Sequence, residues 1–186
     1  MKTTLTEQQT AFYTKNGFIE FEIPHDFPVD QSGRDQFRQE PKLKEFLLRK
    51  LGPLALALTG RKQLRLACDQ LITKENRPKK IGLIKEIFSI QGFAIGVAIS
   101  DNPVFPEKKS TLGIMPLPTK SANILFFRPE ILLDWPHVLS DVYIALFALP
   151  NAVYIHNPND PDTNYLKKLG YSFGDQLKNE QHPQIL

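Results

Sequence analysis

The amino-acid sequence predicts an α+β domain with a sandwich or jelly-roll core, and three features carry that expectation. Positions 1–58 carry helix signals, a capping box at Thr6 and Gln9 and helical spacing of apolar residues after Pro41, around one short strand. From 59 to about 160 the apolar residues fall mostly in short alternating or continuous runs. The 15 prolines are spread along the chain as breaks between these stretches. Residues 161–186 read as a C-terminal tail, so the division is a helical part (1–58), a β core (59–160) and a tail within one domain.

The elements follow in order. Thr6 and Gln9 are spaced for a capping box, in which the hydroxyl accepts from the third helical amide and the glutamine reaches back. A helix starts there and stops at Asn16-Gly17, two residues that tolerate the left-handed conformation. Ile19, Phe21 and Ile23 then alternate with Glu20 and Glu22, which predicts a half-buried strand ended by Pro24. Residues 25–40 form a polar loop with a helical turn. Pro41 opens a second helix, whose apolar face is Leu43, Phe46, Leu47 and Leu51, and Gly52-Pro53 is expected to break it.

Residues 63–73 predict a strand with Leu64, Leu66, Cys68 and Ile72 on one face, followed by the basic turn NRPKK at 76–80. Strands are expected at 82–89 and 92–99. In the second, Phe93, Ile95, Val97 and Ile99 point one way and the small Ala94, Gly96 and Ala98 the other, which suits close packing against a second sheet or a cavity wall. Residues 101–120 read as loop, and 124–127, 142–149 and 152–156 as further strands.

A chain of 186 residues with 41% hydrophobic content can bury a core without staples. Its net charge of +3 gives only a weak long-range field, so nucleic acid is permitted and not indicated. Cys68 is the single cysteine, which rules out an internal disulfide and suits a reducing cytosol. The N-terminus carries no apolar signal segment, and the best apolar run, 87–100, is too short to span a bilayer as a helix. A soluble cytoplasmic protein without membrane insertion is expected.

Four stretches resemble one known family in the right order. LTEQQTAFYTKNGFIEFEIP resembles the opening of phytanoyl-CoA dioxygenase-like proteins, of the iron(II)- and 2-oxoglutarate-dependent oxygenase superfamily. TGRKQLRLACDQLITK resembles the strand before the metal, FFRPEILL the strand and turn before the second metal histidine, and ALPNAVYI a late strand. The resemblance implies a double-stranded β-helix, cupin-like, with N-terminal helices packed on one sheet.

The same resemblance implies a facial triad, H-x-D/E plus a distal histidine, holding iron with positions left for 2-oxoglutarate and oxygen. This chain departs from it. The H-x-D position falls on Lys85-Glu86-Ile87, or with a one-residue slip on Ile84-Lys85-Glu86, and the distal histidine falls on Leu133, beside Asp134. The arginine for the cosubstrate's far carboxylate falls near Ser140 or Asp141, where an acid would repel the anion. Independently of alignment, the residues two places after His25, His137, His156 and His182 are Phe27, Leu139, Pro158 and Gln184, so no H-x-D/E exists. The expectation is an inherited fold without iron or 2-oxoglutarate, since sites are grafted onto folds.

Lys85, Glu86, Arg128, Leu133 and Asp134 are therefore candidates for lining a vestigial ligand pocket. The Lys85 ammonium would replace the metal charge, paired with Glu86 or Asp134 to offset desolvation. His156, Asp160 and Asp162 supply donors that could gather a divalent cation, against the plainer reading of a proline-broken turn. His25-Asp26 could pair as base and orienter. Arg49, Lys50, Arg61, Lys62, Arg65, Arg77, Lys79 and Lys80 are read as a solvated face rather than a nucleic-acid surface.

Cys68 reads as a buried structural thiol. The leading expectation is a ligand-binding, regulatory or interaction protein whose partner is a small molecule or another protein. The alternatives are a hydroxylase with non-standard ligands and a metal-responsive nucleic-acid-binding regulator.

Overall fold

The computed structural model describes residues 5–24, 33–100, 114–115, 123–137 and 140–186. Helix α1 (Glu7–Asn16) starts at the expected capping box: Thr6 Oγ1 accepts from Gln9 N at 3.1 Å and Gln9 Oε1 accepts from Thr6 N at 2.8 Å. Gly17 ends it at φ 78°, a left-handed conformation where a side chain would also strike Ile131. Strand β1 (Phe18–Glu22) follows.

Helix α2 (Pro41–Phe46) does not break at Gly52-Pro53. A π-helical stretch, Leu47–Leu51, leads straight into α3 (Gly52–Thr59), with Pro53 in its first turn. A proline there has no N–H to give and crowds the preceding turn, and the wider i→i+5 winding makes room for it without ending the helical path. Leu43, Leu47, Leu51, Leu54 and Leu58 consequently form one buried face.

The main sheet has six antiparallel strands in the order β1-β5-β3-β7-β2-β8, with β2 at Leu64–Ile72, β3 at Ile90–Ile99, β5 at Asn123–Phe127, β7 at Val142–Tyr154 and β8 at Gln184–Ile185. A second sheet is minimal: β4 (Ile114–Met115) pairs in parallel with β6 (Leu132–Leu133), and Gly82 bridges to Leu133 on the other side. The helices cover one face of the main sheet, burying Leu66, Ile95, Val97, Phe126 and Phe147. The other face buries Ala98, Leu125, Phe127, Ile144 and Leu146 against Met115 and Leu133 of the small sheet. Both faces being covered explains why all nine residues of β2 are buried.

Several expectations needed correction. A bulge between Leu66 and Cys68 divides β2, so Leu64 and Leu66 face the helices while Cys68 and Ile72 face the opposite core. Irregular pairing on either side of Phe93 likewise turns that residue away from Ile95, Val97 and Ile99. Residues 82–89 form no strand, only the Gly82 bridge and a 3-10 turn, Ile84–Glu86. Strand β7 runs 13 residues through Pro150 where two strands were expected. The tail is integral: Leu166, Tyr171 and Leu177 enter the core, and β8 adds the edge strand beside β2. Residues 101–113 and 116–120 of the expected loop, and His25-Asp26, lie outside the described residues.

Candidate functional site

The backbone brings together the two segments on which the resemblance places the metal. Gly82 N donates to Leu133 O at 3.3 Å and Leu133 N to Gly82 O at 3.0 Å, setting the 84–86 turn beside β6. What points inward there is apolar. Ile84, Leu133 and Trp135 are each 0% exposed, and Phe88 is 1%, in the same core as Phe127. Gly96 is small because Phe127 needs the space: an added Cβ would lie 2.3 Å from the Phe127 Cζ. The small face of β3 thus meets a phenyl ring. Nearby, Arg34, Cys68, Phe88 and Tyr165 border a small void of about 10 Å³, at the lower limit for one water.

The polar candidates do not converge on this interior. Lys85 is exposed, and among the described residues it forms no ion pair with Glu86 or Asp134, because the 3-10 turn directs it outward while Ile84 takes the inward position. The exposed Glu86 closes its own turn, accepting from Leu83 N at 2.8 Å. Asp134 is buried at the rim and holds the exposed His137, whose Nδ1 lies 2.7 Å from Asp134 Oδ1. Half-buried Arg128 turns towards the helices, its guanidinium 5.4 Å from the Tyr13 ring centre. Ser140 and the exposed Asp141 precede β7, and Asp141 O accepts from Ser100 Oγ at 3.0 Å.

The proposed cation loop is also arranged otherwise. His156 is exposed and packs edge-on against Phe173, Asp162 is exposed, and Asp160 is 2% exposed and fully engaged elsewhere. Among the described residues no three His, Cys, Asp or Glu side chains gather in a metal-holding group. The residues present therefore do not fit iron where the resemblance would put it: no histidine stands at either register, Ile84 and Leu133 are buried aliphatic groups, and Lys85 and Glu86 are exposed.

Sequence reasoning missed the principal polar cluster of the interior. Arg34 grips Asp160 through two bonds of 2.9 Å, and its Nε and Nη2 donate to Gln70 Oε1. The guanidinium stacks on Phe88 at 4.8 Å. Asp160 Oδ2 also accepts from Ser89 N and Oγ, at 2.8 and 2.7 Å, tying 33–38, β2, the 84–89 segment and 157–163 together. Burial opposes the Arg34 charge most strongly, but the Asp160 hydrogen bond together with the charges of Asp160 and Asp162 and the nearby Cys68 outweighs it and holds its pKa above the ordinary value.

Asp69, in the middle of β2, caps the 3-10 turn at Gln36–Arg38: its carboxylate accepts from Gln36 N at 2.6 Å and Phe37 N at 2.8 Å. Burial and the neighbouring Asp35 push its pKa up to about 7 against those bonds. Asp35 itself sits at φ 58°, bonded to Arg38 at 2.9 Å, and burial raises its pKa as well. His182, 0% exposed, places Nδ1 2.8 Å from Ala67 O, and burial followed by the Arg38 charge lowers its pKa to about 3. The available signal was the trio of Arg65, Asp69 and Gln70 inside a strand whose other six residues are apolar.

No protein-family model matches the chain, and no curated protein matches it in sequence. Solved structures do match in shape. The non-heme α-ketoglutarate-dependent carbocyclase SnoK of nogalamycin biosynthesis aligns at TM-score 0.66 with 12% identity, over 98% of this chain and 97% of that one. The α-ketoglutarate-dependent epimerase SnoN of the same biosynthesis aligns at 0.63 with 14% identity, over 96% and 97%.

CT296 of Chlamydia trachomatis shares 20% identity over 80% of this chain and 97% of its own, at a TM-score of 0.47. The two enzyme matches span nearly the whole molecule, so the chain has the fold of non-heme 2-oxoglutarate-dependent enzymes.

Proposed function

We propose that this protein is a degenerate double-stranded β-helix of the oxygenase type, which has lost iron and 2-oxoglutarate binding and acts by binding a small molecule or a protein partner. The observation that supports the reading is the burial of Ile84 and Leu133, both 0% exposed, the residues on which the resemblance, read with the one-residue slip, would put the two histidine ligands. A ligand set cannot be assembled from methyl groups, and opening this core to a hydrated cation would forfeit dispersion contacts and apolar burial together. A jelly-roll ancestry accounts for the large sheet facing a much smaller one. No helix among the described residues is long and apolar enough to cross a membrane, and a cytosolic setting suits the buried, unpaired Cys68.

The competing reading, a hydroxylase with unusual ligands, draws on the His137–Asp134 pair, a nitrogen and an oxygen donor four residues and one residue beyond Leu133 in sequence. The pair already satisfies itself, and it lies at the rim. Anaerobic calorimetry with iron(II), followed by 2-oxoglutarate with and without the metal, separates the two. Our reading expects no metal-dependent 2-oxoglutarate binding; tight, ordered binding of metal and cosubstrate would replace it with the hydroxylase.

A further inference from the structure

The cations of this chain are unevenly spread. Residues 41–62 carry Lys42, Lys44, Arg49, Lys50, Arg61 and Lys62 against the single carboxylate of Glu45, a net +5 in a chain whose total is +3, so the remainder is net −2. Counting Glu40, half-buried just before the helix, still leaves this stretch more positive than the whole. The 19 residues from Pro41 to Thr59 form one helical path, α2 through α3, roughly 28 Å long at about 1.5 Å per residue. Leu43, Leu47 and Leu51 of this path are buried in the core, and all six cations are exposed. We infer that this ridge is a docking surface for an anionic lipid bilayer, on which the protein adsorbs without inserting. The inference goes beyond ligand binding by the interior and does not depend on it.

Three observations support it. First, the charges are free to act. Arg49 pairs with Glu45 at 3.0 Å, whereas Lys42, Lys44, Lys50, Arg61 and Lys62 form no ion pair among the described residues. Second, helix stability does not account for the lysines at the start. The first turn of α2 holds no acid and Glu40 makes no side-chain capping bond, so Lys42 and Lys44 stand where the helix dipole disfavours cations, while Arg61 and Lys62 follow the C-terminal end, where it favours them.

Third, the surroundings of the cations select the partner. None of the exposed large apolar side chains among the described residues lies between 41 and 62. A protein interface is anchored on aromatic and apolar groups and depleted in lysine, and single-stranded nucleic acid needs rings to stack on. A bilayer needs neither. Its anionic head groups move within the plane and gather under the cations that approach, each Lys or Arg near the surface raising partitioning about fivefold.

The test sediments the full chain with vesicles of equal parts phosphatidylserine and phosphatidylcholine, and with vesicles of phosphatidylcholine alone. Binding should require phosphatidylserine and fall about tenfold or more when salt rises from about 0.1 to about 1 M, which shortens the screening length from about 10 to about 3 Å. The variant Lys42→Gln/Lys44→Gln/Lys50→Gln/Lys62→Gln should weaken binding about tenfold or more. Lys74→Gln/Lys79→Gln/Lys80→Gln/Lys85→Gln removes the same charge from four lysines exposed elsewhere and should stay within about twofold of the unsubstituted chain, because charges more than a screening length from the bilayer contribute little. Both variants should keep the circular-dichroism spectrum unchanged.

Absence of phosphatidylserine-dependent binding, no loss from the first variant, or equal losses from the two would overturn the site. Displacement from the vesicles by duplex DNA or polyglutamate, at a lower concentration of charge than the lipid presents, would assign the ridge to nucleic acid or an acidic protein and equally overturn the lipid assignment.

Discussion

Arg34 and Asp160 show most clearly how single residues hold this molecule together. Removing one partner leaves the other charged and buried, which typically costs about 3–5 kcal/mol. Arg34→Ala should therefore lower unfolding free energy by at least about 3 kcal/mol in urea titrations, and the double variant with Asp160→Ala should lose less than the sum of the two. Asp69 and His182 give the stability a pH dependence with opposing signs.

The Asp69 carboxyl has a folded pKa of about 7, above its unfolded value, so its contribution is complete below about pH 4 and is lost as pH rises through 7. His182, lowered to about 3, contributes above about pH 6.5 and loses this as pH falls through 3. His182→Gln should thus remove a slope of up to about 1.4 kcal/mol per pH unit on the acid side, measured by denaturation between about pH 4 and 6. None of these pairings was legible in the sequence. Arg34 and Asp160 are 126 positions apart, and only the fold brings them together.

At the scale of elements, local chemistry was readable wherever one short-range interaction decides the outcome. The Thr6–Gln9 box and the Gly17 stop are of that kind. The errors came where tertiary packing overrode period. The Leu66/Cys68 bulge reversed half of β2, and the π turn at Leu47–Leu51 carried the helical path past Gly52-Pro53.

The small face of β3 was recognised, though not what fills it. Gly96→Ala would push a methyl into the Phe127 ring and should cost about 1–3 kcal/mol as overpacking. In the Phe127→Leu background the same change should cost clearly less, a non-additivity that thermal or urea unfolding of the four-member cycle measures directly.

For the molecule as a whole, resemblance across four stretches pointed to the oxygenase-type fold, and the shape matches to SnoK and SnoN agree with it at identities of 12% and 14%. The residues proposed for a pocket do not share one environment in the structure. Alignment placed Leu133 beside the 84–86 turn, where Gly82 meets it, but Lys85, Arg128 and Asp134 face three different surroundings because turn geometry, not residue type, sets their directions.

The central proposal is that this interior is packed at the positions on which the sequence resemblance places metal ligands. Anomalous diffraction at the iron edge, from crystals soaked anaerobically in iron(II) and 2-oxoglutarate, tests it most directly. The account predicts no anomalous peak among Ile84, Leu133 and Trp135; an ordered iron there, with protein ligands around it, would contradict it.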